Sequence, residues 1–404
     1  MYSIVFNFLF ILLSYLYFLR YDKKDKTYFV FTLALTLRLI FSVFNVTGID
    51  FPGVNSTDIG RFIATAHQVQ TMGLSGNFDI TQSYVWSWVL GLVMMISRDT
   101  VFAPLVFNSL LGTLAVLSLY RTALFLGTSG SAKMSAWLIA LCPPLVFYSA
   151  VLLRETILLL LLAQLFYYVV YIYKMNAFNM INTTKMLLFY ILLVVFHGAF
   201  AILIFPIILT MVYPVFSGRV KILSGNFFIA FILFPILLIS LSYYFIQMEI
   251  GHSKLYFLYG SSGGLELVGN AIGFMARRAQ NSELISWTSG GSLLANVLEL
   301  NIKTLFGPFF AGEYRNFDIV RMVIVVYVNF NLLLITGKAV FSSGITRIGL
   351  AFILIIIVGF AVISGYYEHA FRHYLKAAPL IIVMGTPMVY GFLTELARKN
   401  KSVA

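Results

Sequence analysis

The side chains that could do chemistry are confined to a few polar stretches between long apolar ones. The stretch 47–83 carries Asp50 and Asp58. Asp58 opens a run in which Ile59, Phe62, Ile63, Ala66 and Val69 recur on one side of a helix. A carboxylate held at a membrane surface by such an amphipathic segment can act as a general base, taking the proton of a hydroxyl as that hydroxyl attacks an electrophilic carbon. Asp50 and Asp58 are both candidates, and the plain alternative for either is a solvated loop acid. Asp58 is preferred because it begins the amphipathic segment, where it or Thr57 would be the N-cap.

A second set is cationic. Arg277 and Arg278 are adjacent, between the glycine-rich stretches 260–264 and 290–291. Two guanidinium forks can clamp a phosphate or diphosphate, or can meet lipid phosphate at the interface. Lys303 and Arg315 add cations to the same segment. Arg154-Glu155 and Arg372-His373-Tyr374 stand at the ends of apolar runs. Arg372 with His373 and Tyr374 can hold a leaving phosphate, and Arg154 with Glu155 can form an interfacial pair. Arg38 lies inside an apolar run, which is costly and makes it either functional or half of a buried ion pair. His67, His197, His252, His369 and His373 show no metal-ligand spacing, so no zinc site and no cofactor is inferred, and a divalent metal is left open.

The elements that must position these residues follow from composition. The chain has 404 residues, 60% hydrophobic and only 10% charged, against about 25% charged in soluble domains. This is an all-α polytopic membrane protein, read as a single transmembrane domain over 1–404. Apolar runs near the length of a span occur at 2–19, 27–46, 102–120, 133–150, 156–173, 226–248, 319–336, 347–365 and 375–394. The run 186–216 is too long for one helix and is split at His197-Gly198, which brings the total to about 11 spans. Residues 84–97 cover only about 21 Å as a helix, short of a hydrocarbon core of about 30 Å. They read as a re-entrant or surface-lying helix with Tyr84, Trp86 and Trp88 at the interface.

If 84–97 does not cross, nearly all short basic loops fall on one side and nearly all acids on the other, as the positive-inside rule requires. That topology puts the N-terminus outside and the C-terminus inside. It makes 47–101 and 249–318 large external loops, joined by the connections at 153–155 and 366–374, so every candidate side chain collects at the outer face. The formal charge of +12 is then an orientation signal rather than a nucleic-acid patch. No phosphate-binding glycine loop occurs on the inner side. The lone Cys142 excludes an internal disulfide. The first apolar stretch has no basic segment before it or small-residue cleavage site after it, and reads as a retained span. No internal repeat is visible.

The pattern resembles the GT-C superfamily of integral-membrane glycosyltransferases, which use polyprenyl-phosphate-linked sugars on the outer face. Three features carry the resemblance: the acidic and amphipathic stretch Ser56 to Ala64; the aromatic 84–88 followed by Asn108 to Gly112, Pro143 to Ser149 and Leu153 to Glu155; and Arg372 to Pro379 before the last span. It implies a cavity open to bilayer and outside, with Asp58 as base and Arg278, Arg372 and Arg154 holding the donor phosphate. The expected activity is inverting transfer of a sugar from a polyprenyl-(di)phosphate donor to a glycan or lipid acceptor of the cell envelope, at a bacterial inner membrane. More weakly, the chain resembles O-antigen or exopolysaccharide polymerases, whose diphosphate donor Arg277 and Arg278 would suit. A flippase of lipid-linked sugars is a third reading, opposed by the missing repeat and the sparse charges within spans.

Overall fold

In hydrocarbon a backbone must satisfy its own N–H and C=O groups, so the apolar runs fold as helices. The computed structural model describes residues 2–20, 26–48, 56–73, 82–175, 177, 179–204, 206–208, 210, 316–341, 344–364 and 367–403, and these are helical or turn throughout. The helices are α1 (Tyr2–Leu19), α2 (Tyr28–Val46), α3 (Ser56–Met72), α4 (Gln82–Ser97), α5 (Phe102–Leu126), α6 (Ser129–Ala140), α7 (Pro143–Ser149), α8 (Glu155–Lys174) and α9 (Met180–Phe196). A 3-10 turn (Gly198–Leu203), α10 (Asn316–Phe341), α11 (Ile345–Ser364) and α12 (Tyr367–Val403) follow.

Among the described residues, six helices are long and apolar enough to cross a membrane: α1, α2, α5, α8, and the portions Val323–Phe341 of α10 and Leu375–Arg398 of α12. The chain is a multi-pass helical membrane protein. The run 226–248 lies outside the described residues. The long run 186–216 does break at His197, where α9 gives way to the 3-10 turn.

One expected span is broken within its length. The run 133–150 is two helices, α6 and α7, bent by 60° at Leu141-Cys142. Pro143 and Pro144 cause the break: they occupy the first positions of α7, lack the N–H groups that would continue α6, and suit a helix start. Within 47–101, α3 and α4 form the two helical segments expected there.

The chain divides into two compact units. One comprises residues 1–167, 189–196 and 385–404, the other 168–188 and 197–384. In the first, α5 is the central helix. Ser109, Gly112, Thr113, Ala115, Ser118, Thr122 and Ala123 are buried on it, small residues that let neighbouring backbones approach. Around it, Phe31 of α2 meets Tyr120 edge-on at 5.6 Å, and Gln164 of α8 donates to Ser118 Oγ at 2.8 Å. Thr128 and Ser131 form a capping box that starts α6.

In the second unit the α10–α11 corner turns at Gly344, whose φ of +84° favours glycine. Arg347 caps the end of α10, donating from Nε to Ala339 O at 2.9 Å and from Nη2 to Val340 O at 3.4 Å. The Tyr173 ring packs over Gly344.

Candidate active site

Asp58 lies in the first turn of α3, two residues after the helix begins at Ser56. Neither Thr57 nor Asp58 is therefore the N-cap, since both already have helical backbone. A carboxylate in a first helical turn is still favoured by the helix dipole. The expected amphipathic face is present: Phe62, Ala66 and Val69 are buried, at the i, i+4 and i+7 positions. They face α4 at Gly91, where an added Cβ would lie 2.6 Å from Val69 Cβ and 2.8 Å from Ala66 O. Gln70 extends the contact toward Met94 O at 3.5 Å.

Helix α4 lies across one end of α5. Near its start Trp86, fully buried, stacks on Phe107 in the second turn of α5 at 6.4 Å between ring centroids. Its other end runs through Ser97 and Asp99 into the first turn of α5, where Asp99 Oδ1 accepts from the N–H groups of Val101 and Phe102 at 2.9 Å. Trp86 and the segment just after α4 thus both meet the first two turns of α5. Asp99 is a structural cap. Its Oδ2 accepts from Asn7 Nδ2 at 2.6 Å, and Tyr2 donates to Ile96 O at 3.0 Å. The Arg98 guanidinium sits 5.2 Å over the Tyr2 ring, so the start of α1 is pinned to this corner.

The same end of the unit holds the turn between α7 and α8, and side chains from three helices converge on its carbonyls. Asn108 of α5 donates from Nδ2 to Val151 O at 2.5 Å, and to Tyr148 O and Ser149 O at 3.3 Å each. Trp86 of α4 donates from Nε1 to Leu152 O at 3.3 Å. Thr156 of α8 donates from Oγ1 to Tyr148 O at 3.0 Å. A non-helical turn inside a membrane bundle needs such donors because no water supplies them. The turn ends in Arg154, half-buried, and in Glu155, buried in the first turn of α8. Through Trp86, α4 joins the helix pair that carries Asp58 to the turn that carries Arg154.

Of the other candidates, Asp50, Arg277, Arg278 and Lys303 lie outside the described residues. Arg372, His373 and Tyr374 fall in the second turn of α12, and their side chains are outside the described set. Lys376, one turn after Arg372 on the same face, is buried, with Nζ 5.7 Å from the Phe200 ring centroid in the second unit.

Arg38 is 1% exposed and, among the described residues, is met by carbonyls: Nη1 donates to Ala34 O at 2.9 Å and to Ala140 O at 3.5 Å. Asn108 and Trp86 were legible only as part of a pattern, since a polar residue in an apolar run signals a partner without naming it. Lys376 carried the same signal as Arg38, a charge within a span.

No protein-family model matches the chain, and no curated protein matches it. Solved structures do. The archaeal oligosaccharyltransferase AglB from Archaeoglobus fulgidus, in complex with an inhibitory peptide and a dolichol-phosphate, is similar with a TM-score of 0.53 at 13% identity, over 95% of this chain and 52% of that one. The same organism's oligosaccharyltransferase in the apo form gives 0.54 at 14% identity, with the same coverage. The chain spans about half the length of the structures it matches. At this identity the likeness is one of fold alone.

Proposed function

We propose that this chain is a membrane glycosyltransferase that moves a sugar from a polyprenyl-(di)phosphate donor to a glycan or lipid acceptor at the outer face of a bacterial inner membrane. The observation that carries the reading is the joining of the Asp58 helix pair to the Arg154 turn at one end of a GT-C-type bundle, through the Trp86 bond to Leu152 O. Asp58 takes the proton of the acceptor hydroxyl. The hydroxyl oxygen forms a bond to the anomeric carbon as the bond from that carbon to the phosphate oxygen breaks on the opposite side, so the configuration inverts. The lipid phosphate leaves with the electron pair and is met by the Arg154 guanidinium at the head of α8. Preplaced charge at the leaving group is the largest contribution asked of the protein. Asp50 is the reserve base. The donor chemistry parallels the dolichol-phosphate bound to the archaeal neighbour.

The test is sugar transfer by Asp58→Asn in membranes supplied with a radiolabelled polyprenyl-linked sugar pool, with the lipid product resolved by thin-layer chromatography. Loss of a general base should cost about 10²–10⁴-fold in rate at normal expression, with monophosphate lipid released. Full activity would sink Asp58 as base. Diphosphate lipid together with an indifferent Asp58 would turn the reading toward an O-antigen-type polymerase.

A further inference from the structure

Helix α2 grips the broken span through one face. Phe41 meets the Phe147 ring of α7 edge-on at 5.1 Å, and Ser42 Oγ lies 3.0 Å from Ser109 Oγ of α5. Arg38, one turn before Ser42 on that face, reaches the end of α6 just before the break. There its Nη1 meets Ala140 O, the last residue of α6. A helix C-terminus carries unsatisfied carbonyls and a partial negative charge, which is what a guanidinium without a carboxylate needs. Its Nε packs over Gly112 of α5, where Ser149 of α7 also packs: a Cβ built on Gly112 would lie 2.9 Å from Arg38 Nε and would collide with Ser149 Oγ, so glycine at this position of α5 makes room for both side chains. Arg38 Nε is buried and makes no hydrogen bond among the described residues. The contact is therefore one of packing and charge, held from outside by α5.

We infer that Arg38 is a positioning residue: it clamps the α6–α7 break from α2 and thereby sets the depth of the 150–154 turn, and with it Arg154, for binding a lipid phosphate. This rests on the role given above to Arg154. The residues that bond the turn directly, Asn108, Trp86 and Thr156, hold its carbonyls but not the break that leads into it. Arg38 does that, at Ala140 O.

The chain carries its own reporter. Cys142, the only cysteine, is buried and is the residue between the break and α7. Two readouts on the full chain in detergent test the clamp: the rate of Cys142 alkylation by a maleimide, and the affinity for undecaprenyl monophosphate. The variants are Arg38→Met, close in length but uncharged; Gly112→Ala, which keeps the arginine and displaces it; Arg154→Ala; and the Arg38→Met, Arg154→Ala double variant. Alkylation should rise about tenfold or more in Arg38→Met, and less in Gly112→Ala, as the break opens locally. Affinity for the lipid phosphate should fall about tenfold in Arg154→Ala and by a similar factor in Arg38→Met, as expected for a charged hydrogen bond lost or misplaced. The double variant should be no weaker than either, because both changes remove one interaction. If Arg38→Met cannot be recovered monodisperse, Gly112→Ala carries the comparison.

Cys142 protection unchanged in both Arg38→Met and Gly112→Ala would overturn the clamp. Faster alkylation with undiminished lipid-phosphate binding, alongside weakened binding in Arg154→Ala, would overturn the positioning role. Undiminished binding in Arg154→Ala itself would overturn Arg154 as the phosphate ligand, and the positioning role with it, which separates failure of the functional reading from failure of the clamp.

Discussion

Asn108 spends one amide nitrogen on three carbonyls of the turn before α8, while its Oδ1, also buried, makes no hydrogen bond among the described residues. The amide orientation follows from the partners, since the oxygen in that place would face three acceptors. Replacing it by leucine keeps the volume and strips the turn of its main donor. Buried carbonyls left without partners cost about 1–3 kcal/mol each, and Trp86 and Thr156 still hold two of the neighbouring groups. We expect Asn108→Leu to lose about 2–4 kcal/mol, seen as a lower unfolding midpoint and as faster hydrogen exchange confined to 148–154. A midpoint equal to the wild type would mean that the turn does not depend on Asn108.

The elements repeat the same economy. Helices α3 and α4 are each too short or too polar to stand alone in a bilayer, and they become a unit by burying Phe62, Ala66 and Val69 against Gly91. Any side chain at that glycine meets Val69 and the Ala66 backbone, neither of which can yield without moving a helix. Gly91→Leu should therefore push α3 off α4, with an overpacking cost of about 1–3 kcal/mol. The sites differ in consequence from Gly337, which has open space around its Cβ position, so Gly337→Ala should be neutral. Limited proteolysis within 56–72 and sugar transfer are the measurements: the α3 segment becomes cleavable and transfer falls in Gly91→Leu only. Equal behaviour of the two variants would refute the packing argument.

At the scale of the molecule, charge decides orientation. The expected topology places the basic loops and the C-terminus inside, with Arg398, Lys399 and Lys401 in the last turns of α12. A fluorescent protein fused after Ala404 should therefore fold and fluoresce in a bacterial host, whereas a periplasmic phosphatase fused there should be inactive. The opposite pair of results would invert the topology and move the proposed site to the inner face, where it would no longer meet an outer-leaflet donor.

Hydropathy and the placement of lysine and arginine determined on their own that this chain is a bundle of membrane helices, that the helix at 84–97 is short, that His197 interrupts a long run, and that Asp58 starts an amphipathic helix. These are local properties: each depends on a window of the chain and on the cost of putting polar backbone or charge into hydrocarbon. The bend at Cys142 was written in Pro143-Pro144 as well, and was missed because the whole run is apolar enough to read as one span. What only the tertiary structure decided is who meets whom. Arg38 could equally have paired with an acid. Instead it meets the end of α6, some hundred residues away, while a glycine in α5 leaves room for its Nε. Trp86 looked like an interfacial aromatic and proved to be a buried donor to Leu152 O. Such pairings are set by packing between helices distant in sequence, where many partners have equal chemistry and geometry alone selects among them.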